Sequence, residues 1–209
     1  MTAWCTNHIR IVARPSAMAS IKERCKGVDE SGELAPFRLE SIKAPPTSEG
    51  DELTRDIDKA TRGNPMRLAL VALYRQTQQD LPDQNITMPM DIHLWRLCHW
   101  GTKWDVHART TKQGEESDLL WTLTIETPWS PPIAAVQALA DLFPEAGITL
   151  EYYEPSTASA GKIVWADKGA GLLREQHGHP ENFDHCAEDW AEYVREQKEK
   201  EEGDVSDED

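Results

Sequence analysis

Apolar residues recur along the chain with two periods. The run HIRIVAR, His8 to Arg14, sets Ile9, Val12 and their neighbours against polar positions, as a strand does. Pro15-Ser16 then opens a short helix over Ala17 to Lys26, with Ser16 as the cap and Gly27 as the stop. The stretch APFRLESIKAPP, Ala35 to Pro46, alternates Phe37, Leu39 and Ile42 loosely and predicts a second strand. Ser48 to Gly63 is polar and reads as a loop or insertion. Asn64-Pro65 starts a helix that carries Met66, Leu70, Leu73 and Tyr74 at helical spacing. After a proline-rich connection, Asp91 caps a further helix through Leu94, Trp95 and Cys98, which Gly101 ends.

The second half is more regular. Trp104, Val106 and Ala108 alternate with Asp105, His107 and Arg109, predicting a half-buried strand. Lys112 to Asp118 reads as a polar turn. Trp121, Leu123 and Ile125 then alternate with Thr122, Thr124 and Glu126, so the two runs predict a hairpin. Ser130 caps a helix whose first turn holds Pro131 and Pro132, and Ile133, Val136, Ala140 and Phe143 form its apolar stripe. Ile148, Leu150 and Tyr152 mark one more strand, and Lys162 to Asp167 a last one around Ile163 and Trp165. The order predicts an α+β fold: a mostly antiparallel sheet with helices on one face, a ferredoxin-like sandwich. Residues 1–168 form that domain, with a helical insertion at about 48–98. Residues 169–209 follow as an acidic helix and tail behind a glycine-rich hinge, Gly169 to Leu173.

Charge gives the tail its character. The 209 residues carry a net charge of −15. Between Arg174 and Asp209 fourteen acidic residues stand against four basic ones, which concentrates −10 of that charge in the last 36 residues. So acidic a chain repels phosphate backbones, and direct nucleic-acid binding is not expected, whereas a basic partner is. Phe183, Cys186, Ala187, Trp190 and Val194 recur at helical spacing from Glu181 to Lys198. Trp190 is then the anchor of a partner-binding face, with Glu188, Asp189, Glu192 and Glu196 as its carboxylates, and Tyr153 and Glu151 on the strand face opposite the core are further candidates. The alternative is that Trp190 packs on its own domain.

Candidate chemistry changes the picture little. Cys5, Cys25, Cys98 and Cys186 form no CxxC pair, so they read as buried thiols of a reducing compartment. His177, His179, His185 and Cys186 cluster in sequence, yet without a second ligand group they predict a histidine-bearing loop and no metal. No hydrolase, zinc-protease or phosphate-loop motif is present, so neither catalysis nor a cofactor is expected. No apolar run approaches membrane-spanning length, and the N-terminus lacks a signal-peptide pattern, which predicts a cytoplasmic protein. Trp4, Trp100, Trp104, Trp121, Trp129 and Trp165 are expected in the core, each removing roughly 150–250 Å² from water. An aromatic clamp built from Trp100 and Trp104 is the competing reading.

Four motifs carry a family resemblance. AWC (Ala3–Cys5), HWGTKWD (His99–Asp105), TPWSPP (Thr127–Pro132) and LEYYEPSTASAGK (Leu150–Lys162) occur in that order. Over residues 1–46 and about 91–168 the chain resembles the YubB-like family of plasmid and phage proteins, described as carrying a ferredoxin-like domain of unknown function. The resemblance implies that fold and a mobile-element setting, and brings no catalytic residues. It leads to a non-enzymatic protein that binds and blocks a host complex with a basic nucleic-acid-binding surface, for example a CRISPR effector, its acidic surface standing in for nucleic acid. The alternative is a small sheet-based nucleic-acid binder regulated by the tail.

Overall fold

The computed structural model describes residues 4–46, 51–63, 72, 90–165, 172–183, 186–187 and 190–196. Its centre is a six-stranded sheet in the order β4-β5-β1-β6-β7-β8. The strands are β1 (Trp4–Val12), β4 (Lys112–Glu116), β5 (Leu120–Pro128), β6 (Gly147–Glu154), β7 (Ser159–Trp165) and β8 (Leu172–Gly178). Every neighbouring pair is antiparallel. Two further short strands, β2 (Gly27–Val28) and β3 (Leu34–Ala35), pair apart from it.

The helices are α1 (Pro15–Cys25), α2 (Leu39–Ile42), α3 (Asp51–Thr61), α4 (Met90–His99) and α5 (Ile133–Leu142). Strands β1, β4, β5 and β6 with helices α1 and α5 make the β-α-β-β-α-β unit of the ferredoxin-like fold, and β7 and β8 widen its sheet beyond β6. One sheet face carries the core. Ile9 and Ile11, Leu123 and Ile125, Ile148 and Leu150 alternate onto it and meet Met18 and Ile21 of α1 and Val136 and Leu139 of α5. Each such side chain contributes about 1.5–3 kcal/mol when fully buried.

Gly101 joins the two halves. It sits at φ +88°, and a Cβ there would meet the Pro131 carbonyl oxygen at 2.8 Å. The end of α4 therefore abuts the start of α5. The Trp100 carbonyl accepts from Ala135 N–H (3.3 Å), and the Ser130 hydroxyl donates to the Gly101 carbonyl (2.6 Å). Ser130 is thus used across this joint and does not cap α5, whose N-cap position is Pro132. Trp100 itself is fully buried, its indole N–H donating to the Lys43 carbonyl at 2.8 Å.

The structure corrects the sequence reading at several points. Residues 104–107 are not a strand, and Ala108–Thr110 is a 3-10 turn. The reason is where the backbone donors go: Val106 N–H bonds Asp105 Oδ1 (2.7 Å) and Ala108 N–H bonds Asp29 Oδ2 (3.0 Å), leaving no ladder to form. The hairpin partner of β5 is instead β4, in the segment read as a turn. The stretch read as a second strand holds α2, and the polar 51–61 segment is α3, whose Leu53 and Ile57 are buried one turn apart. Helix α1 begins at Pro15 with Arg14 as its N-cap, so Ser16 lies inside its first turn. The expected helix through Met66, Leu70, Leu73 and Tyr74 lies outside the described residues.

Of the six tryptophans expected in the core, Trp100, Trp121 and Trp165 are buried there. Trp4 is 43% exposed, because it alternates in phase with Thr6 and His8 and so faces away from the core. Trp129 is 58% exposed, held outward by a positive φ of 67°. Trp104 is only half-buried, since no sheet face receives it. The domain boundary drawn at 168 also moves: β8 pairs with β7, so the sheet runs on to Gly178.

Asp105 was expected on the surface and is buried. It accepts Leu39 N–H (2.7 Å) and Glu40 N–H (3.1 Å) at the start of α2, and pairs with Arg38 at 3.1 Å. Arg38 also donates to the Val106 carbonyl at 2.9 Å. Replacing Asp105 with Ala leaves the buried Arg38 guanidinium with only the Val106 carbonyl and a longer 3.6 Å contact to the exposed Glu40, and should cost about 3–5 kcal/mol. Urea denaturation checks this; a midpoint equal to the wild type contradicts it.

Candidate functional site

The sheet face opposite the core is built by the other half of each strand's alternation. Thr6, His8 and Arg10 of β1, Thr122, Thr124 and Glu126 of β5, and Thr149, Glu151 and Tyr153 of β6 point to it. Register aligns them in rows across the sheet. One row runs Lys112, Thr124, His8, Glu151, Lys162, Gln176. Within it, His8 Nδ1 lies 3.1 Å from Thr124 Oγ1, and Lys162 pairs with Glu151. A shallow groove of ≈ 460 Å³ lies over this row and the Arg10 row beside it.

The C-terminal helix, residues 186–187 and 190–196, docks on one end of the face. Phe183 and Cys186 bury against Tyr153 and Ala160, and Trp190 packs on the same cluster. The Trp190 ring meets Tyr153 edge-on at 6.5 Å and His179 at 5.0 Å, and stacks with Tyr193 at 5.6 Å. Between helix and sheet a second groove of ≈ 440 Å³ is left, sharing His8 and Thr124 with the first. Its charged lining is Glu126, Glu192 and Glu196 against the single Lys112. Glu192 and Glu196 are four residues apart, so one helix face presents both.

The predicted site residues therefore divide. Glu192 and Glu196 are exposed and share the groove with Tyr153. Trp190 is spent within the chain, because its ring covers Tyr153. Glu151 is only 3% exposed and tied to Lys162, which removes it as a contact for a partner. Glu188 and Asp189 lie outside the described residues. The residues that sequence reasoning missed are His8 and Lys112 in this groove and Arg10 in the first one. Strict alternation along Cys5 to Val12 was the available signal for His8 and Arg10; Lys112 sat in a segment without apolar positions.

His177 lies in β8, its Nδ1 2.6 Å from the Tyr152 hydroxyl, and His179 packs on Trp190. His185 is outside the described residues. Among the described residues no three His, Cys, Asp or Glu side chains are grouped to hold a metal ion, and no helix is long and apolar enough to cross a membrane. Burial pushes the Cys5 thiol up, and the Cys25 thiol up to about 12, so both stay protonated at neutral pH.

Loop anchors set the groove's other wall. Asp29 Oδ1 accepts the Ser31 hydroxyl (2.6 Å) and the Ser31 and Glu33 N–H groups, while Oδ2 holds Ala108 N–H. That bond fixes the 3-10 turn that brings Thr110 to the groove. The Ser31 hydroxyl first, then Ala108 N–H, hold the Asp29 carboxyl well below its ordinary 3.8.

Residues 100–202 match the family model described as a ferredoxin-like domain in Api92-like protein. Among solved structures, the crystal structure of a protein api92 from Yersinia pseudotuberculosis is similar, with 12% identity and a TM-score of 0.43. The comparison covers 85% of this chain and 98% of that one. No curated protein matches. The chain carries a ferredoxin-like domain similar to that of Api92-like proteins.

Two outcomes are expected. Trp190→Ala removes the ring that clamps the helix, so amide exchange across 186–196 should quicken roughly ten- to hundredfold while the sheet stays protected. Unchanged protection would assign the docking to other contacts. For Asp29, the depressed carboxyl stabilises the folded state above the ordinary carboxylate range, and this is lost as pH falls through the lower, native value. Thermal melts at neutral pH should therefore place Asp29→Asn below the wild type, with the gap closing under acid. A pH-independent gap contradicts this.

Proposed function

We propose that the protein is a non-enzymatic binding protein whose acidic groove, between the C-terminal helix and the open sheet face, takes a basic segment of a partner protein. The observation that carries this is that Glu192 and Glu196 of the helix and Glu126 of the sheet line one groove with a single lysine, Glu192 also lying 3.8 Å from Arg195. Carboxylates so placed attract arginine and lysine side chains at long range and select them at contact. The resemblance to plasmid and phage proteins supports a setting in a host cytoplasm. There the partner is a host complex whose basic surface normally holds nucleic acid, such as a CRISPR effector. Blocking follows from occupancy, since a filled basic groove is closed to phosphate.

The reading is tested by purifying the tagged protein from its host beside a Glu192→Lys/Glu196→Lys variant. The variant should lose the captured partner, with affinity weakened roughly tenfold or more, and wild-type capture should fade between about 50 and 300 mM salt. A partner held equally by the variant, at either salt, would sink the proposal.

A second reading rests on the position of the helix. It lies over the face that bears His8, Arg10, Lys112 and Lys162, so it could regulate a sheet that binds single-stranded nucleic acid. In that case Trp190→Ala, with the helix released, gains salt-sensitive binding to DNA or RNA oligonucleotides that the wild type lacks.

A further inference from the structure

On the helical side of the molecule, away from the groove, a different set of side chains converges. Helix α4 places His93 and Arg96 one turn apart, and Lys103, just past the break at Gly101, lies near enough for its charge to act on His93. His93 is only 7% exposed. Its Nδ1 is buried with no hydrogen-bond partner. Arg96 lies with Cζ 5.0 Å over the Trp100 ring, and its Nε and Nη1 are likewise buried and unpartnered. Burial first, then the charges of Lys103 and Arg96, hold the His93 pKa below its ordinary 6.5. In a chain of net charge −15, no carboxylate among the described residues pairs with Arg96 or Lys103.

Lys103 is held in place by strain built elsewhere. Its Nζ sits 5.2 Å from the Trp104 ring and 5.5 Å from the Trp129 ring. Trp129 occupies the centre of a three-residue turn, closed by the Ser130 N–H donating to the Pro128 carbonyl at 2.9 Å. A positive φ is costly for a tryptophan, and the neighbourhood braces it. Thr127 Oγ1 donates to the Ser130 carbonyl (2.8 Å), and Thr102 Oγ1 donates to the Pro128 carbonyl (3.1 Å). The result is an exposed indole fixed over a lysine at the edge of the Arg96–His93 cluster.

Buried donors of a cation are expensive to leave unmade, and an incoming oxygen anion satisfies them. We infer that His93, Arg96 and Lys103 form an oxyanion-binding site, taking a phosphate or carboxylate group beside the Trp104 and Trp129 rings. The site is independent of the acidic groove and of its partner.

The test titrates the full-length protein with inorganic phosphate and, separately, with succinate, at ionic strength held constant with sodium chloride. Tryptophan fluorescence and the thermal midpoint are followed. A saturable change with either anion supports the site: phosphate alone assigns it to phosphate groups, succinate alone to carboxylates. Arg96→Gln should weaken that binding roughly ten- to hundredfold. If circular dichroism shows Arg96→Gln unfolded, Lys103→Gln, at a half-buried position, carries the comparison. Responses to both anions no larger than the response to chloride overturn the inference. So does a dissociation constant unchanged in the folded variant.

Discussion

The carboxylate of Asp105 is the point on which the arrangement of this chain depends. It gathers three backbone N–H groups and one guanidinium at a buried position. Such a cluster holds only when it is complete, because each member buried without the others is costly. Its completion locks the start of α2 to the 101–107 crossing. That crossing in turn fixes Trp104 and the 3-10 turn at Ala108–Thr110. Asp29 repeats the device on a smaller scale from the other side of the same segment.

Two carboxylates thus stand in for the hydrogen-bond ladder that this part of the chain lacks, and they decide what each face of the protein offers. Because 104–107 does not join the sheet, β4 takes the edge beside β5 and brings Lys112 to the open face. Because Gly101 lets α4 and α5 touch, Lys103 and Trp129 meet at the opposite end. The groove under the C-terminal helix and the basic cluster on α4 are consequences of the same irregular crossing.

Legibility in the sequence followed the strength of the local period. The strands around Leu123 and Ile148 and the helix from Ile133 were readable because one face is buried and the other wet, so alternation is strict. The ferredoxin-like order followed from them. The Trp104–Arg109 run imitated a strand through Val106 and Ala108, and only the tertiary capture of its amides by Asp105 and Asp29 reveals otherwise. Strand β4, KQGEE, has no apolar position to announce it. Of the site, Glu192, Glu196 and Tyr153 were visible as a helical carboxylate face and a sheet aromatic. His8 and Lys112 were not, since their importance comes from cross-strand register, which no single segment encodes. The tryptophans misled through size alone: Trp4 and Trp129 are large, but phase and backbone conformation send them outward.

Strand β4 also carries a meaning for how the protein meets other chains. All five of its residues are exposed, three of them charged, and its register with β5 slips between Gln113 and Glu116. An open sheet edge is ordinarily a template on which a foreign strand can add. Here the template is kinked and studded with Lys112, Glu115 and Glu116, which discourages a further strand from zipping onto it. Growth of the sheet sideways, the common route to self-association of β proteins, is blocked at this border. At this border another chain meets side chains and a broken ladder, not a continuous run of free backbone groups.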